Sequence, residues 1–404
     1  MGFALTIIMK NYITRVIWIL SLVSMFADIA SEMLYPVMPI YLKNIGFSIL
    51  LIGILEGVAE ATAGLSKGYF GKLSDTIGKR VPFVRLGYIF SSVSKPLMAV
   101  YTFPIWIFFA RTLDRLGKGV RTGARDALLS DEATPETKGK VFGFHRSFDT
   151  LGAVIGPFLA LVYLYFYPEQ YKTLFFLAFI PGIFAIGLTY LLKEKQVLNE
   201  NPKTVSSVNF FSFLNYWKDS PPAYRQLVTG LLTFTLFNSS DMFLLLKAKQ
   251  SGLSDTVTIE LYILYNISFA LLAFPVGIVA DKLGLKKIFI AGLVLFALVY
   301  FGMAYADSLV EYAGLFILYG IYSSATEGIS KAWISNISDK KDTATAIGTF
   351  SGLQSIFTML ASSLAGFIWF QFGAPAAFIA SAVVTGLVIL YFVFFITEKK
   401  VVKR

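Results

Sequence analysis

A charged turn held between two long apolar runs, Gly71-Lys72-Leu73-Ser74-Asp75-Thr76-Ile77-Gly78-Lys79-Arg80, recurs in altered form as Gly277-Ile278-Val279-Ala280-Asp281-Lys282-Leu283-Gly284-Leu285-Lys286-Lys287. The copies begin 206 residues apart in a chain of 404. A fold that accommodates this has two related halves, each with a charged hairpin at the same place. A membrane-crossing helix needs about 20 mostly apolar residues. Stretches of that kind lie at 14–42, 48–72, 81–101, 104–127, 140–165, 172–192, 226–248, 257–281, 287–306, 309–335, 343–370 and 374–396. The expected fold is an all-α membrane protein with 12 transmembrane helices in two pseudo-symmetric six-helix bundles. Residues 1–193 form the N-terminal bundle, 194–225 a cytoplasmic linker and 226–404 the C-terminal bundle. A short amphipathic helix is expected in the linker near Phe210–Trp217.

Composition narrows the chemistry. The chain is 56% hydrophobic and 15% charged, where a soluble chain carries roughly 25%. It has no Cys, which excludes disulfides, thiolate metal sites and a cysteine nucleophile. Its single His, His145, argues against a His-based zinc site, so no metal and no cofactor are expected. As a helix-end residue His145 is expected to hydrogen-bond rather than to sense pH. The net charge of +10 sits in short segments between apolar runs, not in a tail, and this argues against nucleic acid. The first apolar run continues into a full span with no small-residue cleavage site, so no cleavable signal is expected.

Lys and Arg set the orientation. Lys10, Arg15, Lys72, Lys79, Arg80, Lys193, Lys195, Lys203, Lys218, Arg225, Lys282, Lys286, Lys287, Lys399, Lys400, Lys403 and Arg404 fall on one side of the twelve spans. The other side has Lys43, Lys172 and Lys249. Both termini are expected in the cytoplasm, in a multi-pass protein of the plasma (inner) membrane.

The doubled hairpin, twelve spans and central linker resemble the major facilitator superfamily of secondary transporters. Gly71, Leu73, Asp75, Gly78, Lys79 and Arg80 match its loop signature, with Thr76 in place of an Arg. Gly277, Asp281, Lys282, Gly284 and Lys286 match in the second copy, with Leu285 at a basic position. The resemblance implies that Asp75 meets the start of span eleven, near Thr343–Thr345, as a latch that closes the cytoplasmic side. Physically, a carboxylate at the membrane edge suits the unpaired N–H groups of a helix start. The alternative is that these charges only set topology. Gly143, Gly152, Gly156 and Pro157 are spaced like the antiporter motif of the superfamily's exporters, although Ala160 and Leu161 replace small Gly residues. The bland reading is ordinary small-residue packing. Pro36 and Pro39 are similar to a proline pair of span one, and imply a kink there.

Ionisable groups at membrane depth are costly and mark function by default. In span four, Arg111, Asp114, Arg115, Lys118, Arg121 and Arg125 fall within an arc of about 120°. They must line water or pair with acids of other helices. Arg111 occupies the Arg of the superfamily's Arg-x-x-Gln-Gly signature, which the family links to proton coupling; Asp114 and Arg115 depart from it. Arg121 and Arg125 are read as anchors to Asp126, Asp131 and Glu132. Asp28, Ser31, Glu32 and Tyr35 share one face of span one. A carboxylate in a low-dielectric site can exchange a proton near neutral pH. Asp28 and Glu32 are therefore proton-carrier candidates with Arg111 and Asp114, or else fixed ion-pair partners of Arg111 or Arg115. Glu56 and Glu60 form an i, i+4 pair in span two, and Lys95 lies in span three. Substrate-cavity candidates are Tyr35, Arg115, Lys118, Arg146 and Asp149, with Asn238, Asp241, Tyr262, Tyr265, Asn266, Glu327 and Lys331 in the second half. Glu327 and Lys331 also suit an intrahelical pair.

Three functions compete. The first is a proton-coupled exporter of a small polar or amphiphilic solute, working by alternating access. The second is uptake of an anionic metabolite, suggested by the surplus of Arg and Lys in spans three to five. The third is a receptor or enzyme without translocation, which the missing nucleophile and metal constellations disfavour. The expected partners are a small-molecule solute, protons and the lipid bilayer, with no nucleic acid and a monomeric chain.

Overall fold

The computed structural model of the chain describes residues 13–35, 37–194, 209–239 and 241–396. Among the described residues every regular element is a helix. The first half gives α1 (Arg15–Glu32), α2 (Met38–Asn44), α3 (Ile49–Ile77), α4 (Val81–Val100), α5 (Pro104–Asp131), α6 (Lys138–Phe166) and α7 (Tyr171–Thr189). A 3-10 turn, η1 (Ser212–Asn215), and α8 (Tyr216–Asp219) follow. The second half gives α9 (Pro222–Phe237), α10 (Met242–Gln250), α11 (Asp255–Leu283), α12 (Leu285–Tyr305), α13 (Leu309–Ile337), α14 (Thr343–Phe372) and α15 (Ala374–Phe395).

Ten of the twelve expected spans fall on one helix each. The first and seventh are interrupted, at 33–37 between α1 and α2 and at 238–241 between α9 and α10. The expected kink of span one is thus a break, and Pro36 lies outside the described residues. So do Lys10, Lys195, Lys203 and the basic groups after 396. The expected linker helix is realised as η1 and α8, four residues each.

The 206-residue offset persists in the local devices that start and stop helices. Gly46 and Gly252 both take positive φ, +95° and +89°. Two residues later, the hydroxyls of Ser48 and Ser254 accept from the N–H groups of Leu51 and Val257, at 3.2 and 3.3 Å. These are N-caps, each satisfying an otherwise unpaired donor of the first turn. α3 and α11 then run 29 residues apiece and end at Gly78 and Gly284, again with positive φ.

Seven helical segments among the described residues, one of them α9 and α10 taken together, are long and apolar enough to cross a membrane on length and composition alone. The spans that fail this test are the first to fourth and the tenth, which carry the acids and bases described below. At about 1.5 Å per residue, α3, α5 and α13 are long enough to cross.

Contacts divide the chain into two compact units. One comprises Met1–Glu132, Phe148–Asp219 and Asp339–Ser355; the other comprises Ala133–Ser147, Ser220–Ser338 and Ile356–Arg404. The first turns of α14 therefore belong to the first unit, and those of α6 to the second. Within the first unit α4 and α5 meet backbone to backbone. A Cβ on Gly87 would lie 2.6 Å from the Gly117 carbonyl oxygen, so no larger residue fits that crossing. The interruption of span one is embedded in an apolar cluster with Leu34, Tyr41, Leu42, Leu55, Met98 and Phe175. Tyr41 also donates to the Met98 carbonyl at 2.9 Å.

Candidate functional site

The charged row of α5 is paired inward. Inserting one charge at the bilayer centre costs roughly 3 kcal/mol even on the mildest scale. Six facing lipid would exceed the 5–15 kcal/mol that typically holds a fold together. Arg111 is buried, and its Nε and Nη2 donate to both oxygens of Glu56 on α3 at 2.9 and 2.8 Å. Its Nη1 lies 3.4 Å from Asp114. Asp114 in turn accepts from Ser91 at 2.7 Å and from Lys95 at 3.0 Å, both on α4. Arg115 reaches Glu60 at 3.3 Å. Lys118 is exposed and has no acid within 4 Å among the described residues. Nearer the helix end, Arg125 pairs with Asp126 at 2.9 Å and donates to Ser24 at 3.1 Å. Ser24 also donates to Asp149. The anchor reading needs correction for Arg121, whose guanidinium stacks 4.4 Å above the Tyr88 ring. Asp131 and Glu132 instead meet Arg80 and Thr14.

Asp28 and Glu32 take no part in this lattice. Neither has an ion pair or hydrogen bond among the described residues, so the alternative of a fixed bridge to Arg111 or Arg115 is not realised there. The reason is that α3 supplies both arginines with acids first, and Asp114 of α5 itself lies beside Arg111. Both acids are half-buried, because α6 packs its glycines against the same stretch of α1. A Cβ on Gly152 would lie 2.9 Å from the Asp28 Cβ, and one on Gly156 3.0 Å from the Glu32 Cβ. The helix runs on through Pro157. Tyr35 is exposed in the interruption of span one. His145 is buried near the start of α6.

The two signature acids make the same kind of contact. In the first unit Asp75 accepts from the backbone N–H and the hydroxyl of Thr345, both at 2.6 Å. This is the first turn of α14, where an acid meets unpaired N–H groups and the positive helix end. Asp75 also pairs with the fully buried Arg80, which lies 3.6 Å from Asp131. In the second unit Asp281 accepts from the N–H groups of Gly139 and Lys140 at 2.7 and 2.9 Å, the first turn of α6. Gly71 and Gly277 allow these approaches: a Cβ on either would collide with the backbone of α14 or α6. Gly143 packs on α11 in the same way. The Lys79 side chain is exposed, and its carbonyl accepts from Ser74 at 2.8 Å.

In the second unit the interruption of span seven is bound by tyrosines. Asn238 donates to the Tyr322 oxygen at 3.0 Å, Ser239 and Tyr300 share a hydrogen bond of 3.0 Å, and Tyr319 donates to Asp241 at 2.6 Å. Tyr265 packs against Tyr319 with tilted rings whose centroids are 5.0 Å apart, and Tyr262 lies 6.0 Å from Tyr265. Asn266 turns back to the Tyr262 carbonyl at 3.0 Å. Glu327 pairs with Arg146, whose guanidinium lies 5.8 Å from the Phe269 ring; Lys331 is one turn further along α13.

Tyr300, Tyr319 and Tyr322 were not singled out from the sequence. Polar rings buried at mid-span, with Tyr319 and Tyr322 three apart, were the available signal. The role of Glu56 and Glu60 was also missed, although their i, i+4 spacing equals that of Arg111 and Arg115. A third omission is Glu194, which accepts from the N–H groups of Arg80 and Val81 at 2.8 Å each and so caps α4.

Among the described residues no cluster of His, Asp or Glu is arranged to hold a metal ion. The family model described as Major Facilitator Superfamily matches residues 20–259 and 244–404. An uncharacterized MFS-type transporter of Methanocaldococcus jannaschii is 32% identical over 392 residues, covering 94% of this chain and 95% of the relative. Among solved structures, the human organic anion transporter MFSD10 has a TM-score of 0.79 at 16% identity, covering 94% of this chain and 99% of that one. The Escherichia coli fucose:proton symporter has a TM-score of 0.78 at 12% identity, covering 95% and 98%.

Proposed function

The chain belongs to the major facilitator superfamily, a family of membrane transporters, and from that premise we propose that it is a proton-coupled exporter of a small solute, monomeric in the plasma (inner) membrane. The observation that carries the reading is the pair Asp28 and Glu32: two carboxylates at membrane depth, one turn apart, with no ion pair or hydrogen bond among the described residues. A carboxylate so placed exchanges a proton instead of keeping an ion pair. Loading and unloading it changes the charge that Arg115 and Lys118 face, and so biases one arrangement of the helices over the other. The export direction is supported by the spacing of Gly143, Gly152, Gly156 and Pro157, which resembles the antiporter motif of the superfamily's exporters. The signature acids Asp75 and Asp281 act as paired latches on the cytoplasmic side, and the tyrosine-lined interruption around Asp241 supplies neutral and aromatic solute contacts.

Purified protein in proteoliposomes, with a pH-sensitive dye inside and a pH gradient imposed, tests this. Solute addition is expected to release protons in wild type and not in Asp28→Asn. Transport indifferent to the gradient in wild type sinks the proton-coupled reading.

A further inference from the structure

Arg111, Arg115 and Lys118 form a row on α5 at successive turns, and α3 answers it step for step until it stops. Glu56 meets Arg111 and Glu60 meets Arg115, each 55 positions upstream. The next step, opposite Lys118, is Ala63. The helices are still in contact there, since a Cβ on Gly119 would lie 3.1 Å from the Ala63 carbonyl oxygen. Lys118 is thus a cation with a place opposite it and no acid in that place.

The two pairs that do form are lopsided. The arginine side chains are 8% and 13% exposed; Glu56 is 35% and Glu60 56% exposed. The cations are built in, and the acids lie at the accessible edge. Lipid cannot be what that edge faces, because half-exposed charge in hydrocarbon is too costly, so water reaches it. Glu56 can also leave without stranding Arg111. Asp114 remains beside that arginine, fixed by Ser91 and Lys95. Meanwhile Glu56 fills both tines of the guanidinium fork, the geometry by which Arg holds any free carboxylate.

We propose that Glu56 and Glu60 are internal stand-ins for ligand carboxylates, and that the solute is a small polycarboxylate that lands on Lys118 and displaces them from Arg115 and Arg111. Neighbouring cations of the row are about 4.5–6 Å apart along the helix, a spacing that a short di- or tricarboxylate spans. Asp28 and Glu32 bear on the same row. The cations acting most strongly on Glu32 are Lys118 and then Arg115, so a proton on Glu32 leaves both more open to an anion. The proposal rests on the transporter reading above and names its substrate class.

Thermal unfolding of the full-length protein in lipid nanodiscs is the test, with tricarballylate as the probe and inorganic phosphate and choline chloride as ionic-strength-matched controls. Tricarballylate is expected to raise the midpoint of wild type. Glu56→Gln is expected to tighten its apparent Kd about tenfold, because the bound form no longer competes with an internal carboxylate. Arg111→Lys, which keeps the charge and loses the fork, is expected to weaken it. Glu60→Gln carries the same expectation as Glu56→Gln and serves if that variant does not fold. No tricarballylate response in wild type and the glutamine variants, unchanged or weaker binding in the latter, or an equal response to phosphate each overturns the assignment. A tightened Glu56→Gln with transport blind to the pH gradient overturns proton coupling and leaves the stand-ins. Proton-driven export of another solute, with no tricarballylate response, does the reverse.

Discussion

At the scale of single residues, what separates the charged groups is whether a partner is already in place. Asp114 has four donors around it, Ser91, Ser94, Lys95 and Arg111, and cannot lose its charge without stranding Lys95. Asp28 and Glu32 have none among the described residues. Asp28→Asn and Glu32→Gln are therefore expected to abolish gradient-driven transport and to keep solute counterflow, measured with the same vesicles at equal pH on both sides. Asp114→Asn is expected to do something different: it leaves Lys95 buried without its acid and destabilises the protein by roughly 3–5 kcal/mol, readable as a loss of folded material and a lower melting point. A stable Asp114→Asn with selective loss of proton coupling would reverse these two roles. The distinction between the acids was not legible in the sequence. Helical periodicity puts Asp28 and Glu32 on one face and Arg111 and Asp114 on another, but it does not say which helices meet. That Glu56 lies opposite Arg111 depends on how α3 crosses α5, and this is set by Ser66, Gly119 and the backbone approach of Gly71 and Gly123.

At the scale of elements, glycine decides which helices touch. Gly152 and Gly156 bring α6 against the acid-bearing face of α1, and no side chain fits between them. Gly156→Leu is expected to cost about 1–3 kcal/mol by overpacking and to lower transport with it, while Gly187→Leu, where nothing lies within 4 Å of the added Cβ, is expected to leave the melting point nearly unchanged. Equal destabilisation by both would remove the packing argument. Much of this level was legible. The glycine spacing pointed to close packing, and the doubled loop with Gly78 and Gly284 to the turns after α3 and α11, whereas the caps Ser48 and Ser254 were not read. The interruptions were less so: the polar Asn238 and Asp241 inside 226–248 did not announce a break, because their partners Tyr322 and Tyr319 lie on α13, far along the chain.

At the scale of the whole molecule, the two signature acids hold equivalent helix starts in the two units. Each carboxylate accepts two hydrogen bonds. Asp75→Asn and Asp281→Asn are each expected to shift the balance of inward- and outward-open states in the same direction, and the double variant to shift it further. Accessibility of single introduced cysteines is a clean measure, since the chain has none of its own. The same labels placed at Lys79 and Lys172 check the orientation: the first is expected to react from the cytoplasm only, the second from outside only. Opposite accessibility would invert the topology.

The short η1 turn is stitched into the first unit at three points. Lys72 donates to the Ser212 carbonyl at 2.7 Å, Thr349 to the Phe213 carbonyl at 3.3 Å, and the buried Phe213 ring covers Gly68. The turn itself lies downstream of residues 195–208, while two of its three partners, Lys72 and Gly68, lie upstream. A chain severed in that stretch, or expressed as two separate pieces, would therefore keep a plug of the later fragment seated in the earlier one. Reassembly of the pieces should then depend on the ring at position 213 more than on the covalent bond that was cut.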